Sequence, residues 1–400
     1  MKQQWIQELQ AEQEQIVSWR RHMHQYPELS FQEVKTAQFI ADTLTGFGYQ
    51  VRTGVGEGGI LADLQGGQPG PTIAFRADFD ALPIHEENDV PYRSQNDGVM
   101  HACGHDGHTA ALLGVAKVIS QHQEQLEGNV RFIFQHAEEQ IPGGAKAMIE
   151  DGALEGVDEV YGAHLASYLP LGRIGVIAGP SMAAADGFSI VIQGKGGHGA
   201  KPDQTIDSIV IGSQVVSSLQ HIVSRHVNPL KSAVVTVGVF QAGSAFNVIA
   251  DKAKIEGTVR TFDPEVRKQI EESIRTLVHG ITLAERASYT IDYTHGYPAV
   301  VNPPEQADQV RDIVINTLGE EALFDIPEPS MGAEDFAYYL EHRPGNFFYV
   351  GSQNESEHTG FPHHHPRFDI DETALLNTGY VFLGIIAEKL LSKRGVAVSS

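Results

Sequence analysis

The sequence predicts a two-domain α/β fold, in which a small α+β domain is inserted into a larger domain built on a mixed sheet. Short apolar strands alternate with amphipathic helices at both ends of the chain, as expected of an α/β/α layered domain. Between them, residues 187–297 follow the order strand, helix, strand, strand, helix, strand, which is the split βαβ order of a ferredoxin-like sandwich. We therefore predict a larger domain over residues 1–186 and 298–400, and an insert over residues 187–297.

The composition restricts the class of protein and its partners. Of 400 residues, 41% are hydrophobic and 20% are charged, and the net charge is −23. This negative balance argues against nucleic-acid binding and against an anionic membrane surface. The single cysteine excludes an internal disulfide, the N-terminus lacks the apolar core of a signal peptide, and no stretch of about 18 apolar residues exists. We expect a cytoplasmic protein without a membrane span.

The N-terminal segment predicts one amphipathic helix over roughly residues 2–23, which Pro27 ends. Ser30 and Glu33 have the spacing of a capping box for the next helix. Three short strands follow, and the last one ends in two acids, Asp78 and Asp80. In an extended chain these two carboxylates share a face, where they could orient neighbouring metal ligands or, alternatively, cap a turn.

The stretch from Met100 to Ala110, MHACGHDGHTA, holds three histidines, the only cysteine and a carboxylate. We interpret it as a loop that ends at a helix N-terminus, with Cys103 and His105 on the loop and Gly104 between them. Thiolate and imidazole both bind first-row divalent metals. The alternative is a histidine-rich helix start in which Cys103 fills a core position.

Further candidate ligands follow other predicted strands. The strand NVRFIFQ is followed by Glu138 and Glu139, and residue chemistry alone does not decide which acid binds a metal and which moves protons. His164 ends the predicted strand VDEVYGAHL, where a lone histidine is more often structural. Three consecutive histidines, residues 363–365, precede Pro366 near the end of the chain.

These motifs resemble the M20 metallopeptidase family, in its aminoacylase-like amidohydrolase branch, over residues from about Arg20 to about Glu388. The branch includes hippurate hydrolases, N-acyl-amino-acid deacylases and auxin-conjugate hydrolases. The resemblance implies two divalent ions, manganese or zinc first and cobalt or nickel as alternatives. The implied ligands are Cys103, His105, Glu139, His164 and His364.

The resemblance also implies roles beside the metals. Glu138 would be the general base and Asp80 would orient a ligand histidine. The ligand histidine stands two residues before the proline, so His364 is favoured, although His363 or His365 could replace it.

The insert carries polar residues that a scaffold would not need. By the resemblance, the insert is a lid and dimerisation domain, and His198 polarises the scissile carbonyl, often in the active site of a partner subunit. Asn247 and Arg260 could hold a substrate carboxylate, and Gly332 could let backbone amides approach substrate. Ordinary turn, strand and loop positions are the alternative. An apolar first helix and an open sheet edge favour a homodimer or a dimer-based tetramer.

The predicted function is metal-dependent hydrolysis of the amide bond of N-acyl L-amino acids, with acetyl or aromatic acyl groups, through a metal-activated water. The small-molecule products are a carboxylic acid and a free amino acid. A dipeptidase or carboxypeptidase of the same superfamily is one alternative, although the His-Ala-Cys-Gly-His loop favours the amidohydrolase branch. A metal-binding protein without catalysis is the other alternative, but such a protein would need neither Glu138 nor the polar residues of the insert.

Overall fold

A computed structural model describes residues 2–357 and 359–391. The chain divides into two compact units. The first contains the described residues up to Gly179, Val301–Glu328 and those from Asp335 onward; the second contains Pro180–Val300 and Pro329–Glu334. The extreme ends of the larger predicted domain, Met1 and residues 392–400, lie outside the described residues.

The described strands range from two to twelve residues in length. In chain order they are β1 Gln50–Val55, β2 Gly59–Gln65, β3 Gln68–Asp78, β4 Glu127–Gln135, β5 Glu159–Pro170, β6 Ile174–Gly175, β7 Gly179–Met182, β8 Ala184–Gln193, β9 Gly197–His198, β10 Ala233–Ala242, β11 Val248–Ile249, β12 Lys252–Thr261, β13 Ser288–His295, β14 Val300–Asn302, β15 Leu323–Phe324 and β16 Gly345–Gln353.

The helices flank these strands. They are α1 Lys2–Ala11, α2 Gln13–Gln25, α3 Val34–Gly46, α4 His105–Ser120, α5 Ala145–Glu150, α6 Ser208–His221, α7 Pro264–Ala284, α8 Pro304–Leu318, α9 Ala337–His342 and α10 Thr373–Leu390. Over the part of the chain that the structure describes, none of the helices combines the length and the apolar character needed to cross a lipid bilayer.

The first unit is built on an eight-stranded mixed sheet in the order β1-β2-β4-β3-β5-β16-β6-β15. The pairs β4–β3, β3–β5 and β5–β16 are parallel, whereas β1–β2 and β2–β4 are antiparallel. The C-terminal half of β3, most of β5 and nearly all of β16 are buried, as expected for strands covered on both faces. Because the central strands are parallel, their carboxyl ends meet at one edge of the sheet.

Helix α4 follows the candidate metal loop and lies at the centre of the first unit. Almost every residue of α4 is buried, since it packs against β3 and against α2 and α10. Gly114 allows the close approach of α2, because a Cβ atom there would lie 2.5 Å from Cδ1 of Ile16. The α/β layered fold predicted for this part of the chain is confirmed.

The structure corrects two predictions for the N-terminal segment. The single helix predicted over residues 2–23 is two helices, α1 and α2, which are separated at Glu12. The predicted capping box is wrong, because neither Ser30 nor Glu33 caps α3 with its side chain. Glu28 does so instead: its Oε2 accepts hydrogen bonds from the backbone N and the Oγ1 of Thr36 at 2.8 and 3.0 Å.

The second unit has a four-stranded antiparallel sheet in the order β10-β12-β8-β13. Helices α6 and α7 bury their apolar residues against it, among them Ile211, Val215, Ile270 and Ile274. This order of elements is the predicted split βαβ arrangement, and β10 and β13 form its two edges.

Candidate metal centre

Cys103 and His105 lie where the metal loop enters α4, and both are buried. Gly104 between them is the N-cap of α4 and has φ of +95°, in the left-handed region that a residue with a Cβ atom rarely adopts. This conformation lets the two side chains on either side of Gly104 approach the same point. The sulfur and an imidazole nitrogen of these residues lie within 4.8 Å of each other and of a His164 nitrogen.

Cys103, His105 and His164 form the first donor group. Sγ of Cys103 lies 3.5 Å from Nε2 of His164, and Nδ1 of His164 bonds the backbone oxygen of Leu165 at 2.7 Å. Nδ1 of His105 bonds both the backbone oxygen and Oδ1 of Asp80, at 3.0 and 3.2 Å. Each ring therefore donates through Nδ1 and keeps the lone pair of Nε2 for another partner.

The second donor group contains Cys103 again, together with Glu139 and His364. Nε2 of His364 lies 3.1 Å from Oε1 of Glu139. His364 has φ of +65°, and its backbone N donates to the oxygen of Ala102, the residue before Cys103. The neighbouring rings are engaged elsewhere, since His363 accepts from the backbone N of Ser167 and His365 accepts from that of Arg367.

Glu138 and Glu139 converge although they are adjacent in sequence. Strand β4 ends at Gln135, and Ala137 has φ of +51°, which turns the chain before the two acids. The ligand atoms of Glu138, Glu139 and His105 lie within 4.8 Å of one another. Glu138 is buried. Through His105 and Glu139 it adjoins both donor groups that contain Cys103, but it belongs to neither of them.

The electrostatics of the cluster suit bound cations. Burial and the carboxylates Glu139, Glu138 and Asp78 raise the pKa of the Cys103 thiol well above its ordinary value. Burial lowers the pKa of His105, but Asp78, Asp80 and Glu139 outweigh it and raise the value to about 10. The anionic surroundings therefore favour positive charge at this point.

One observation tests whether these residues fit a metal. Nε2 of His105 is fully buried and has no hydrogen-bond partner, which is costly for a polar atom in a protein interior. A cation beside the Cys103 sulfur and the carboxylates would displace the proton that the raised pKa places on this nitrogen and would bind its lone pair. The donor set of sulfur, imidazole nitrogen and carboxylate oxygen also matches first-row divalent metals. The residues present therefore fit a pair of metal ions.

A buried network behind the metal cluster is only partly visible in the sequence. Asp78, which we predicted to orient a ligand, bonds Nδ1 of His108 at 2.7 Å. Arg76 joins three acceptors with its guanidinium: Asp78 at 2.7 Å, Gln135 at 2.9 Å and Asp335 at 2.8 Å. Arg76 precedes the two acids in the stretch RADFD, but no sequence signal pairs it with Asp335, 259 residues away.

Asp335 precedes α9 but does not cap it, because α9 has no side-chain cap. Oδ2 of Asp335 instead accepts from the backbone N of Ala145, the first residue of α5.

His164 also differs from its predicted place. It lies in the middle of β5 rather than at the end, because that strand continues to Pro170. It is nevertheless level with the carboxyl end of β3, because Gly162 pairs with Arg76, two residues before β3 ends at Asp78.

A second buried network includes Asp106, the second residue of α4. The guanidinium of Arg20 contacts Asp106 at 2.8 Å, Asp369 at 2.7 Å and Glu372 at 3.2 Å. His24 lies between Asp106 and Glu86, at 2.8 and 3.1 Å, and is fully buried. Burial and Arg20 lower the pKa of His24, but Asp106 and Glu86 outweigh them and raise it to about 9. Arg20 thereby connects the segment carrying His105 with the segment that follows the three histidines.

The remaining predicted residues lie in the second unit. His198 is on β9, which pairs with β11 so that Val248 faces it, and the backbone oxygen of Asn247 accepts from Gly199. His198 and Asn247 are therefore neighbours, and both side chains are exposed. Arg260 lies on β12 and contacts Thr258 and the backbone oxygen of Val259. The backbone N of Gly332 donates to Oγ of Ser330 at 3.0 Å.

Comparison with known proteins places the chain in a family. Residues 74–388 match Peptidase family M20/M25/M40. An N-acyl-L-amino acid amidohydrolase of Geobacillus stearothermophilus is 53% identical over 72% of this chain and 78% of its own length. An N-acetyl-L-cysteine deacetylase of Bacillus subtilis strain 168 is 45% identical over 94% of this chain and 88% of its own.

A solved structure agrees with this placement. The YXEP protein of Bacillus subtilis, described as a dinuclear metal-binding peptidase of the M20 family, is 37% identical and has a TM-score of 0.81. The match covers 95% of this chain and 98% of that one. The chain therefore belongs to Peptidase family M20/M25/M40. It is a metal-dependent amidohydrolase, and the sequence-based predictions of family and enzyme class are confirmed.

Proposed function

We propose that this enzyme hydrolyses N-acyl L-amino acids with two divalent ions, held by Cys103, His105, Glu139, His164 and His364. The observation that carries the proposal is the pair of donor groups that share Cys103, with Glu138 beside His105 and Glu139. Five protein ligands exceed what one tetrahedral ion takes, whereas they suit two ions. The named activities of the two relatives, on N-acyl-L-amino acids and on N-acetyl-L-cysteine, support this substrate class.

The ions would lower the pKa of a bound water and polarise the scissile carbonyl. Manganese or zinc is proposed, since imidazole and carboxylate accept both and the thiolate favours zinc, with cobalt and nickel as alternatives. Asp80 keeps Nδ1 of His105 occupied, so that Nε2 of this ring points to the donor group. Ser30 and the backbone N of Glu139 in turn hold Oδ2 of Asp80, at 2.7 and 3.0 Å.

Glu138 is proposed as the general base. Its carboxylate takes a proton from the attacking water and then gives it to the nitrogen of the leaving amino acid. Glu138 suits this role because it is buried beside the donor groups and is not needed to complete either group that contains Cys103. Glu139 is then proposed as a ligand, in the group that contains Cys103 and His364.

The second unit is proposed to recognise the substrate. Nδ1 of His198 accepts from the backbone N of Ala200, so Nε2 remains available to a substrate carbonyl. Arg260 has no salt bridge within the described ranges, and its guanidinium suits the α-carboxylate of an amino acid. Asn247 would add an amide donor to the same carboxylate, and Gly332 would let the backbone approach it.

A homodimer through the second unit and a cytoplasmic location complete the proposal. Ile209 and Val210 of α6 and Phe240 of the edge strand β10 are exposed, and so are Phe246 and Val248 beside it. Exposed apolar side chains next to an open sheet edge are typical of a surface that pairs with a second copy. The lone, reduced Cys103 suits a reducing compartment.

A substrate panel on the metal-loaded enzyme tests the proposal. Acetyl, benzoyl, succinyl and indoleacetyl amino acids are compared with dipeptides, and we expect turnover of the acyl amino acids with little turnover of dipeptides. Glu138→Gln should lower kcat by about 100-fold or more with the metal content unchanged. Glu124→Gln removes an exposed acid far from the cluster and serves as the control. Faster hydrolysis of dipeptides, or full activity of Glu138→Gln, would contradict the proposal.

A further inference from the structure

The segment Leu29–Glu33, which we call the brace, lies against the two loops that carry the acids of the metal centre. Leu29 forms a parallel bridge with Ala81, and the backbone N of Ala81 donates to the oxygen of Glu28 at 2.9 Å. The brace therefore runs beside the loop that contains Asp80. The sequence pattern of the brace predicted only a helix cap, and no role at the metal centre.

Two side chains of the brace reach the acids by separate routes. Oγ of Ser30 donates to Oδ2 of Asp80 at 2.7 Å, and the same oxygen accepts from the backbone N of Glu139 at 3.0 Å. Oε1 of Glu33 accepts from the backbone N of Ala137 at 2.7 Å. Through Asp80, Ser30 thus holds the backbone N of Glu139. Glu33 holds the backbone N of Ala137, the residue immediately before Glu138.

Ala137 is the unusual residue of this turn. Its φ of +51° is in the left-handed region, which costs energy for any residue with a Cβ atom. Such a conformation persists only where the surroundings hold it, and it is found often at active sites. The backbone of Ala137 is held at both ends: Glu33 binds its N, and its oxygen accepts from Gly144 at 3.0 Å.

We infer that Glu33 is a positioning residue for hydrolysis, which holds the Ala137 turn so that the Glu138 carboxylate is placed correctly beside His105 and Glu139. This inference rests on the proposed role of Glu138 as the base. Glu33 touches no donor group and acts only through the backbone of Ala137. The hydrogen bond needs an acceptor oxygen at the position of Oε1 and does not need a negative charge.

The chemistry of Glu33 supports an uncharged acceptor. Burial, followed by the charge of Asp80, raises the pKa of Glu33 to about 8. The carboxyl group is therefore mainly protonated at pH 7, and a glutamine side chain has nearly the same shape and keeps a carbonyl oxygen. Glu33 also borders a surface cavity of about 360 Å³, so that a shorter side chain there leaves space that water can enter.

The experiment compares three variants of Glu33 in the metal-loaded enzyme. Glu33→Gln keeps the acceptor, Glu33→Asp keeps a carboxyl group but is one methylene too short to reach, and Glu33→Ala removes both the carboxyl group and the acceptor. We expect Glu33→Gln to stay within about twofold of wild type. We expect the Asp and Ala variants to lose about 10- to 100-fold in kcat, because a misplaced base slows the reaction steeply, with KM and metal content little changed. Glu57→Gln, on the same cavity, is the control.

Amide hydrogen exchange gives a readout that does not depend on activity. The amide of Ala137 should exchange at least tenfold faster in the Asp and Ala variants than in wild type and Glu33→Gln, while the thermal midpoints of the soluble variants stay close. Unchanged kcat in Glu33→Asp and Glu33→Ala would overturn the inference, and so would equal losses in all three variants. If Glu138→Gln keeps full activity, the proposed function fails; the exchange data then still show whether Glu33 holds the turn.

Discussion

Nε2 of His364 lies 3.1 Å from Oε1 of Glu139, although 225 residues separate the two in sequence. The contact joins the loop after β4 to the loop after β16, and the backbone of His364 bonds the residue before Cys103. Three loops from distant parts of the chain thus form the second donor group.

Cys103 belongs to both donor groups, so its loss should affect both ions. We expect Cys103→Ala to bind less than one ion per subunit after dialysis, and to lose at least 100-fold in metal affinity, as loss of a direct ligand costs at least as much as loss of its supporting partner. Cys103→Ser keeps an oxygen donor and should retain part of the metal. Metal analysis with isothermal titration calorimetry measures both. Full occupancy in Cys103→Ala would show that the thiol is not a ligand.

His364 belongs to only one of the two groups that contain Cys103, so His364→Ala should weaken one ion selectively. We expect one tightly bound ion per subunit in place of two. His365→Ala is the matched control, because the ring of His365 stacks on Phe361 and accepts from Arg367. The metal content of each variant is measured after dialysis. Loss of metal in His365→Ala with none in His364→Ala would show that the ligand is His365 rather than His364.

His24 should make the stability of the protein depend on pH. Its pKa is raised from 6.5 to about 9 in the folded state, so its contribution is complete below about pH 6.5 and is lost as pH rises through 9. We expect His24→Gln to lower the free energy of unfolding by up to about 3 kcal/mol at pH 6, and by much less at pH 10.

Denaturant unfolding with a chelator present, at pH 6 and at pH 10, measures this difference for His24→Gln. His22→Gln, at an exposed position of the same helix, should change the free energy by less than about 0.5 kcal/mol at both values. A deficit in His24→Gln that is the same at pH 6 and pH 10 would argue against a charged imidazole.

Arg76 neutralises the buried carboxylates of Asp78 and Asp335, and all three side chains are almost fully buried. Arg76→Met removes the guanidinium that lies between these two buried carboxylates, which should cost about 3–5 kcal/mol of stability. Lys117→Met breaks a partly exposed ion pair with Glu12 and should cost less than about 1 kcal/mol. Chemical denaturation of the two variants provides the comparison, and equal losses would show that the Arg76 network contributes little.

The sequence allowed the layered fold and the inserted sandwich to be predicted, because both depend on local patterns. The period of apolar residues distinguishes strands from helices, and the order of elements largely limits the topology. The errors were local as well: the break at Glu12 has no strong breaker residue, and the cap of α3 comes from Glu28 rather than from the expected Ser30 and Glu33. Several side chains can accept from the free N–H groups at a helix N-terminus, and tertiary packing determines which of them forms the hydrogen bond.

The amino-acid sequence alone specifies the chemically capable residues: a thiol, imidazoles and paired acids at the ends of predicted strands. The tertiary structure decided which of them meet, because contacts such as Arg76 with Asp335 and Glu33 with Ala137 join residues that no local pattern connects. It also decided the protonation preferences, since the pKa of His24 or Glu33 depends on burial and on charges brought from other segments. Distances and dielectric surroundings exist only after the chain has folded, and they turn a list of ligands into a site.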